Sequence, residues 1–148
     1  MYSVEEFDGL KTKILKYVLY KKRTEAEIRQ KFIECSSEML DDAIEYLKEA
    51  GYISDEDYVE RSIKEYMSLK NMSIKELIYK LQSKGIKKSL IDNYISIHKE
   101  ELTEYEVKSA RNIIIKKQNN MEKNEIEDYL YKKGYTGETI KTCFEEML

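Results

Sequence analysis

Pairs of apolar residues with one helical turn between them recur along the chain at a constant distance of 49 residues. An i, i+4 spacing places two side chains on the same face of a helix. Polar residues fill the positions between the members of each pair, as they do in amphipathic helices. The pairs are Ile28 and Phe32, Leu77 and Leu81, and Ile126 and Leu130.

The same register extends beyond these pairs. Lys84-Gly85-Ile86 aligns with Lys133-Gly134-Tyr135 at the same distance, whereas the first copy has no Gly there and needs an indel of about two residues. Such self-similarity is typical of repeat proteins. The other aligned positions are Ile14 with Ile63, Tyr17 with Tyr66 and Ile115, and Ile91 with Ile140.

Each copy predicts three helices, which in the second copy run near 56–70, 73–84 and 88–100. Thr24 with Glu27 and Ser73 with Glu76 are capping boxes in equivalent places. Weaker start signals are Ser54 with Asp57 and Thr103 with Glu106. Gly51, Gly85 and Gly134 stand where helices are expected to end.

These elements predict an all-α fold, an elongated array of three tandem three-helix repeats at 1–53, 54–102 and 103–148. No stretch is a convincing strand; the best β-like run, Ile113-Ile114-Ile115, is short and flanked by helix formers. Composition agrees, since 148 residues contain no Pro and only five Gly. A β-sandwich or barrel needs many turns, and turns rely on these residues.

Charge is distributed unevenly along the chain. The total is -3, but residues 1–60 carry a net charge of -6, residues 61–103 of +4 and residues 104–148 of -1. The asymmetry indicates either ordinary solvated helix faces or a polarised surface that orients on a charged partner.

The sequence also bears on location. The N-terminus shows no signal-peptide pattern, and no apolar run is long enough to span a membrane. Cys35 and Cys143 form no CxxC motif and fit a reducing cytosol. We therefore expect a cytoplasmic protein.

Motifs for catalysis or cofactor binding are missing from the sequence. His98 is the single histidine and has no partner at metal-ligand spacing. There is no phosphate-binding glycine loop and no nucleophile elbow. We expect no enzyme activity, no catalytic residues, no cofactor and no metal.

Several stretches resemble the RecX regulators of the RecA recombinase. The segment 23–32, Arg-Thr-Glu-Ala-Glu-Ile-Arg-Gln-Lys-Phe, is similar to the first-repeat signature of that family. The segment 43–59 resembles its helix followed by Gly-Tyr-Leu-x-Asp-x-x-Phe/Tyr-Ala, and 77–86 and 133–140 resemble the ends of its second and third repeats. The resemblance covers about residues 11–144.

This resemblance implies a non-enzymatic role in DNA recombination, DNA repair and the SOS response. Proteins of this family bind the RecA filament on single-stranded DNA along its groove. They restrain its ATPase and strand-exchange activities. A monomer with that role is the expectation here, with weak direct DNA contact as a further option.

Basic residues are the candidate contacts for a partner. Arg23, Arg29 and Lys31 lie in the signature stretch, and five lysines lie near the middle of the chain, with Lys80 and Lys84 expected on one helix face. They would meet acidic recombinase surface or DNA phosphate; the alternative is a solvated helix face. The five lysines are Lys75, Lys80, Lys84, Lys87 and Lys88.

The loop around Asp55 has two interpretations. Tyr52 and Ile53 could staple the junction between repeats while Ser54 and Asp55 cap the next helix, or Tyr52 and Tyr58 could stack on unpaired bases. Two further functions stay open: a direct DNA-binding helical module, against which the acidic total argues, and a helical adaptor for another protein.

Overall fold

Helices make up almost all of residues 1–147, the part of the chain that this computed structural model describes. Within those residues there are nine helices and no strand, which confirms the predicted all-α class. In chain order they are α1 (Val4–Tyr20), α2 (Glu25–Lys31), α3 (Ser37–Glu49), α4 (Asp55–Leu69), α5 (Ile74–Ser83), α6 (Lys88–Ile97), α7 (Lys99–Lys117), α8 (Lys123–Lys132) and α9 (Gly137–Glu146).

The chain forms two compact units. The first consists of Met1–Val59 with Ser83–Ile86, and the second of Glu60–Gln82 with the chain from Lys87 onwards. Division of the chain into domains at 1–53, 54–102 and 103–148 stays a prediction.

Each unit has its own apolar core. In the first unit, side chains of α1, α2 and α3 pack together around Ile14, Ile28 and Ile44, and Phe32 packs half-buried against them. In the second unit, α7, α8 and α9 enclose Ile114, Leu130 and other apolar side chains. Burying such a side chain contributes about 1.5–3 kcal/mol, so these stripes are the main stabilising feature of the thin helical layers.

The 49-residue register holds for most of the predicted core positions. Ile28, Leu77 and Ile126 are all buried, as are Leu81 and Leu130. Equivalent positions in the sequence therefore have equivalent environments in the fold.

The register of α7 differs from the prediction by two residues. Ile115, expected to match Tyr66, has 48% of its surface exposed, whereas Ile114 has 2%. Ile63 thus corresponds to Ile114, an offset of 51, because the connection from α7 to α8 is two residues shorter than that from α4 to α5.

Helix starts follow the capping signals with one exception. The side chains of Thr24 and Ser73 accept hydrogen bonds from the backbone N–H groups of Glu27 and Glu76, and Ser54 accepts one from the N–H of Asp57. The predicted start at Thr103 is wrong, because α7 begins at Lys99 and Thr103 lies inside it. No side-chain cap marks that start.

A hydroxyl-to-carbonyl bond joins consecutive repeats within each unit. In the first unit the Thr24 hydroxyl donates to the backbone carbonyl of Lys84 at 2.6 Å, and in the second Ser73 donates to that of Lys133 at 2.7 Å. Both hydroxyl residues are fully buried. We call each of these two bonds, with its surroundings, a repeat joint.

Glycine is required beside each repeat joint. Gly85 and Gly134 have φ angles of +86° and +97°, in the left-handed region. A Cβ on Gly85 would overlap the Cβ of Ala26, and one on Gly134 would lie 2.8 Å from the Cβ of Lys75.

A carboxylate completes each repeat joint at the first backbone amide of a helix. Asp55 accepts from the N–H of Glu25 at 2.9 Å, and Glu106 accepts from that of Ile74 at 3.0 Å. An acceptor at a helix N-terminus satisfies a free donor and complements the helix dipole. Ser54 and Asp55 therefore have the structural role expected of their loop.

Candidate partner-binding surface

Two of the predicted contact residues lie together on one aromatic ring in the first unit. The Arg23 guanidinium carbon lies 4.2 Å from the centre of the Tyr17 ring, and the Lys31 ammonium group lies 5.8 Å from it. Cations at such distances are attracted by the electron-rich face of the ring. The Nε atom of Arg23 is buried and has no hydrogen-bond partner within residues 1–147.

Arg29 is engaged by acidic neighbours. Its guanidinium group pairs with Glu25 and Asp41, and Glu25 also pairs with Lys48. Burial disfavours the charged form of Glu25, but its hydrogen bonds with Lys48 and Arg29 outweigh this and lower the pKa of the carboxyl group. Arg29 thus links α2 to α3.

Tyr66 carries a second cation pair, in the second unit. Lys80 lies 5.6 Å and Lys70 5.7 Å from the centre of its ring. Tyr66 and Lys80 are 49 residues after Tyr17 and Lys31. The same ring and cation therefore recur at equivalent positions of the first two repeats.

In the third repeat the two residue types exchange places. Tyr129 stands where Lys80 is expected, and Lys117 stands 51 residues after Tyr66, the offset of α7. The Lys117 ammonium group lies 4.2 Å from the Tyr129 ring centre, and Lys133 lies 5.7 Å from it. Each repeat thus carries one tyrosine with two cations.

The sequence interpretation did not include Lys70, Lys117 or Lys133. The recurrence of Tyr17 with Lys31 and of Tyr66 with Lys80 at 49 residues could have indicated the first two tyrosine clusters. The exchange in the third repeat hides its cluster from any search for identical residues at a constant offset.

A groove of about 560 Å³ lies beside the third tyrosine cluster, entirely within the second unit. Four lysines line it, and none of them forms an ion pair within the described residues. Glu76 is the one carboxylate among its described lining residues, and it accepts from the backbone N–H of Ser73. The lining lysines are Lys70, Lys116, Lys117 and Lys133. We call this the lysine groove.

The other predicted lysines occupy separate places. Lys84 follows the end of α5 at Ser83, so the expected shared helix face with Lys80 is wrong, and its backbone carbonyl belongs to a repeat joint. Lys75 lies beside Gly134. Lys87 precedes α6 and is exposed, whereas Lys88 pairs with Asp92 at 2.9 Å.

The eight predicted residues are divided equally between the two units. Arg23, Arg29, Lys31 and Lys84 belong to the first unit, and the other four belong to the second. The structure brings together Arg23 with Lys31, but it does not gather all eight into one cluster.

The loop around Asp55 has mainly structural contacts. Ile53 is buried in the core of the first unit. Tyr52 has 48% of its surface exposed, which argues against the expected staple at that ring. Burial raises the pKa of the Asp55 carboxyl group, and the hydrogen bond from the Glu25 amide only partly opposes this.

Two further searches of residues 1–147 gave no candidate. No group of three or more His, Cys, Asp or Glu side chains there could hold a metal ion. Over the same residues, every helix is too short or too polar to cross a bilayer. The ring of His98 stacks on that of Tyr94 at 4.2 Å.

Comparison with characterised proteins reveals the family. The chain is 30% identical over 151 residues to regulatory protein RecX of Clostridium acetobutylicum, which covers 92% of this chain and 69% of the relative. The chain belongs to the RecX family. Regulatory protein RecX of Staphylococcus carnosus is 31% identical over 145 residues, or 90% of this chain.

Solved RecX structures have the same fold. The crystal structure of RecX from Lactobacillus salivarius superposes with a TM-score of 0.82 at 21% identity and covers 97% of both chains. A second RecX crystal structure superposes with a TM-score of 0.81 at 20% identity, over 94% of this chain and 73% of the other. The resemblance in sequence and the predicted three-helix repeats are thereby confirmed.

RecX relatives are longer than this chain. It spans about half the length of the Staphylococcus carnosus protein, 52%, and more than two thirds of the Clostridium acetobutylicum one. No protein-family model matches the chain.

Proposed function

We propose that this protein is a non-enzymatic regulator that binds the RecA filament on single-stranded DNA along its groove. It acts in the cytoplasm as a monomer, in recombination and repair. Binding mostly inhibits the ATPase and strand-exchange activities of the filament. Membership of the RecX family is the observation that carries this proposal.

Local features support binding over catalysis. The described residues hold no metal-ligand cluster, and their titratable groups serve repeat joints and ion pairs. Repeat proteins commonly bind through extended surfaces, and the recurring tyrosine clusters supply one cationic element to each repeat. Of the predicted contacts, Lys87 and Lys88 are the most exposed to a partner.

The test measures ATP hydrolysis by RecA on single-stranded DNA with this protein at substoichiometric amounts. We expect a reduced rate, together with co-sedimentation of this protein and the filament. An unchanged rate without co-sedimentation would reject the proposal.

Charge reversal addresses the contact residues. The double variant Lys87→Glu/Lys88→Glu should weaken both effects, because opposite charge at an exposed contact repels an acidic partner. Its matched control is Lys132→Glu/Lys141→Glu, which makes the same charge change at exposed positions of α8 and α9. Equal loss in both variants would show that total charge matters and not these positions.

A further inference from the structure

The lysine groove concentrates positive charge without local compensation. The ammonium groups of Lys117 and Lys133 approach the same Tyr129 ring from 4.2 and 5.7 Å, so they are less than about 10 Å apart. This is comparable with the screening length of about 8 Å at physiological salt, so the two charges repel each other. The carboxylate in the lining, Glu76, already caps α5.

Helix ends account for part of this charge. Helices α4, α7 and α8 end at Leu69, Lys117 and Lys132, and all three ends adjoin the groove. A helix C-terminus carries roughly half a negative charge and favours nearby lysines. Three such ends balance fewer than two of the four lysines, so the groove retains positive charge.

Amide side chains add donors to the lining. The Asn71 oxygen accepts a hydrogen bond from the Asn112 amide at 3.1 Å, which leaves the Asn71 NH₂ group for a ligand. Asn120, another lining residue, is exposed. Ammonium and amide donors together are the groups that proteins use on phosphate oxygens.

We propose that the lysine groove binds the phosphodiester backbone of single-stranded nucleic acid directly. Lys117 and Lys133 hold adjacent phosphates, Lys70 and Lys116 extend the positive field, and Asn71 donates to a phosphate oxygen. Cationic grooves with aromatic side chains are typical of single-strand binding without sequence preference. The binding does not depend on RecA, so it can fail or succeed independently of the proposed regulatory function.

The test measures fluorescence anisotropy of a labelled oligothymidylate of about 20 nucleotides with the full chain at low salt. Lys117→Gln/Lys133→Gln should weaken binding about tenfold, because two phosphate contacts are lost. The slope of log affinity against log salt should become shallower by about 1.4, since each phosphate contact on a single strand contributes about 0.7.

The matched control is Lys132→Gln/Lys141→Gln, which removes the same charge. Lys132 is paired with Asp128 and Lys141 with Glu145, outside the groove lining. We expect less than about a threefold change in affinity, since these charges are already partnered. Circular dichroism and thermal unfolding confirm that both variants fold.

Three results would overturn the proposal. The wild-type chain could fail to bind the oligonucleotide at low salt. The control could lose as much affinity as the groove variant, which would indicate total charge alone. The groove variant could bind the naked strand normally and yet lose co-sedimentation with the RecA filament, which would assign the groove to a protein partner.

Discussion

The hydroxyl group of Thr24 lies 2.6 Å from the backbone carbonyl oxygen of Lys84, to which it donates a hydrogen bond across 60 positions of sequence. The same oxygen accepts from the backbone N–H of Glu27 at 3.1 Å, so one atom caps α2 and holds the next repeat. A residue predicted only as a local cap therefore also makes a long-range contact.

Thr24→Val should destabilise the first unit more than an ordinary loss of a cap. The substitution keeps the shape of a buried side chain but leaves a carbonyl and an amide without their partner, at a cost of about 2–4 kcal/mol. Urea unfolding measures the effect. Thr24→Ser should retain most of the stability, and Ser3→Ala, at the exposed cap of α1, should cost only about 1 kcal/mol. Equal losses for Thr24→Val and Ser3→Ala would contradict the dual role.

Gly85→Ala should destabilise the protein by more than the roughly 1–2 kcal/mol of left-handed backbone alone, because its Cβ overlaps Ala26. Gly9→Ala is the matched control. Gly9 lies inside α1 with open space around it, so Ala there should stabilise by about 0.5–1 kcal/mol. Differential scanning calorimetry should therefore show opposite shifts in melting temperature, and shifts of the same sign would count against the close approach.

Glu25→Gln and Asp55→Asn should change stability with opposite dependence on pH. The folded-state pKa of Glu25 is lowered, so its contribution is present above the ordinary value of 4.5 and is lost as pH falls through the folded pKa. Glu25→Gln should cost up to about 1 kcal/mol at neutral pH and little in acid.

The folded-state pKa of Asp55 is raised by burial, so the folded protein binds the proton more tightly and loses relative stability as pH rises from 3.8 through the folded pKa. Asp55→Asn keeps an oxygen acceptor for the Glu25 amide without that penalty. The variant should thus gain on the wild type between about pH 3 and pH 7 in urea unfolding. A gain in the opposite direction would show that the charge on Asp55 stabilises the fold.

The two thiols should react at very different rates. Cys143 is fully buried, its thiol donates to the Val107 carbonyl at 3.3 Å, and burial raises its pKa. Cys35 is half-buried. A disulfide reagent should therefore modify Cys35 first and Cys143 only on unfolding, because the thiolate is the reactive form. Cys35→Ser should remove the fast phase, and its persistence would contradict the assignment.

The apolar periodicity predicted most of the fold because helix burial depends on local spacing. It failed at Ile113-Ile114-Ile115, where three adjacent isoleucines satisfy more than one register. The start of α7 was also missed, since no side chain caps it.

The candidate contacts were harder to predict because they depend on distant pairings. The sequence showed the lysines but not which of them share a ring, as Lys117 and Lys133 do at Tyr129. Nor did it show that the carboxylates of Asp55 and Glu106 serve the amides of Glu25 and Ile74, 30 and 32 residues earlier.

The helix that follows the second repeat joint begins with a different chemistry. At the position equivalent to Thr24 and Ser73 stands Glu122, whose N–H donates to Glu125. A carboxylate has no proton to give to a backbone carbonyl, so α8 offers no attachment of the kind made by the two hydroxyl residues. Gene duplication of the 49-residue module would therefore be tolerated ahead of α8, whereas appending a copy after it would first require exchange of Glu122 for serine or threonine.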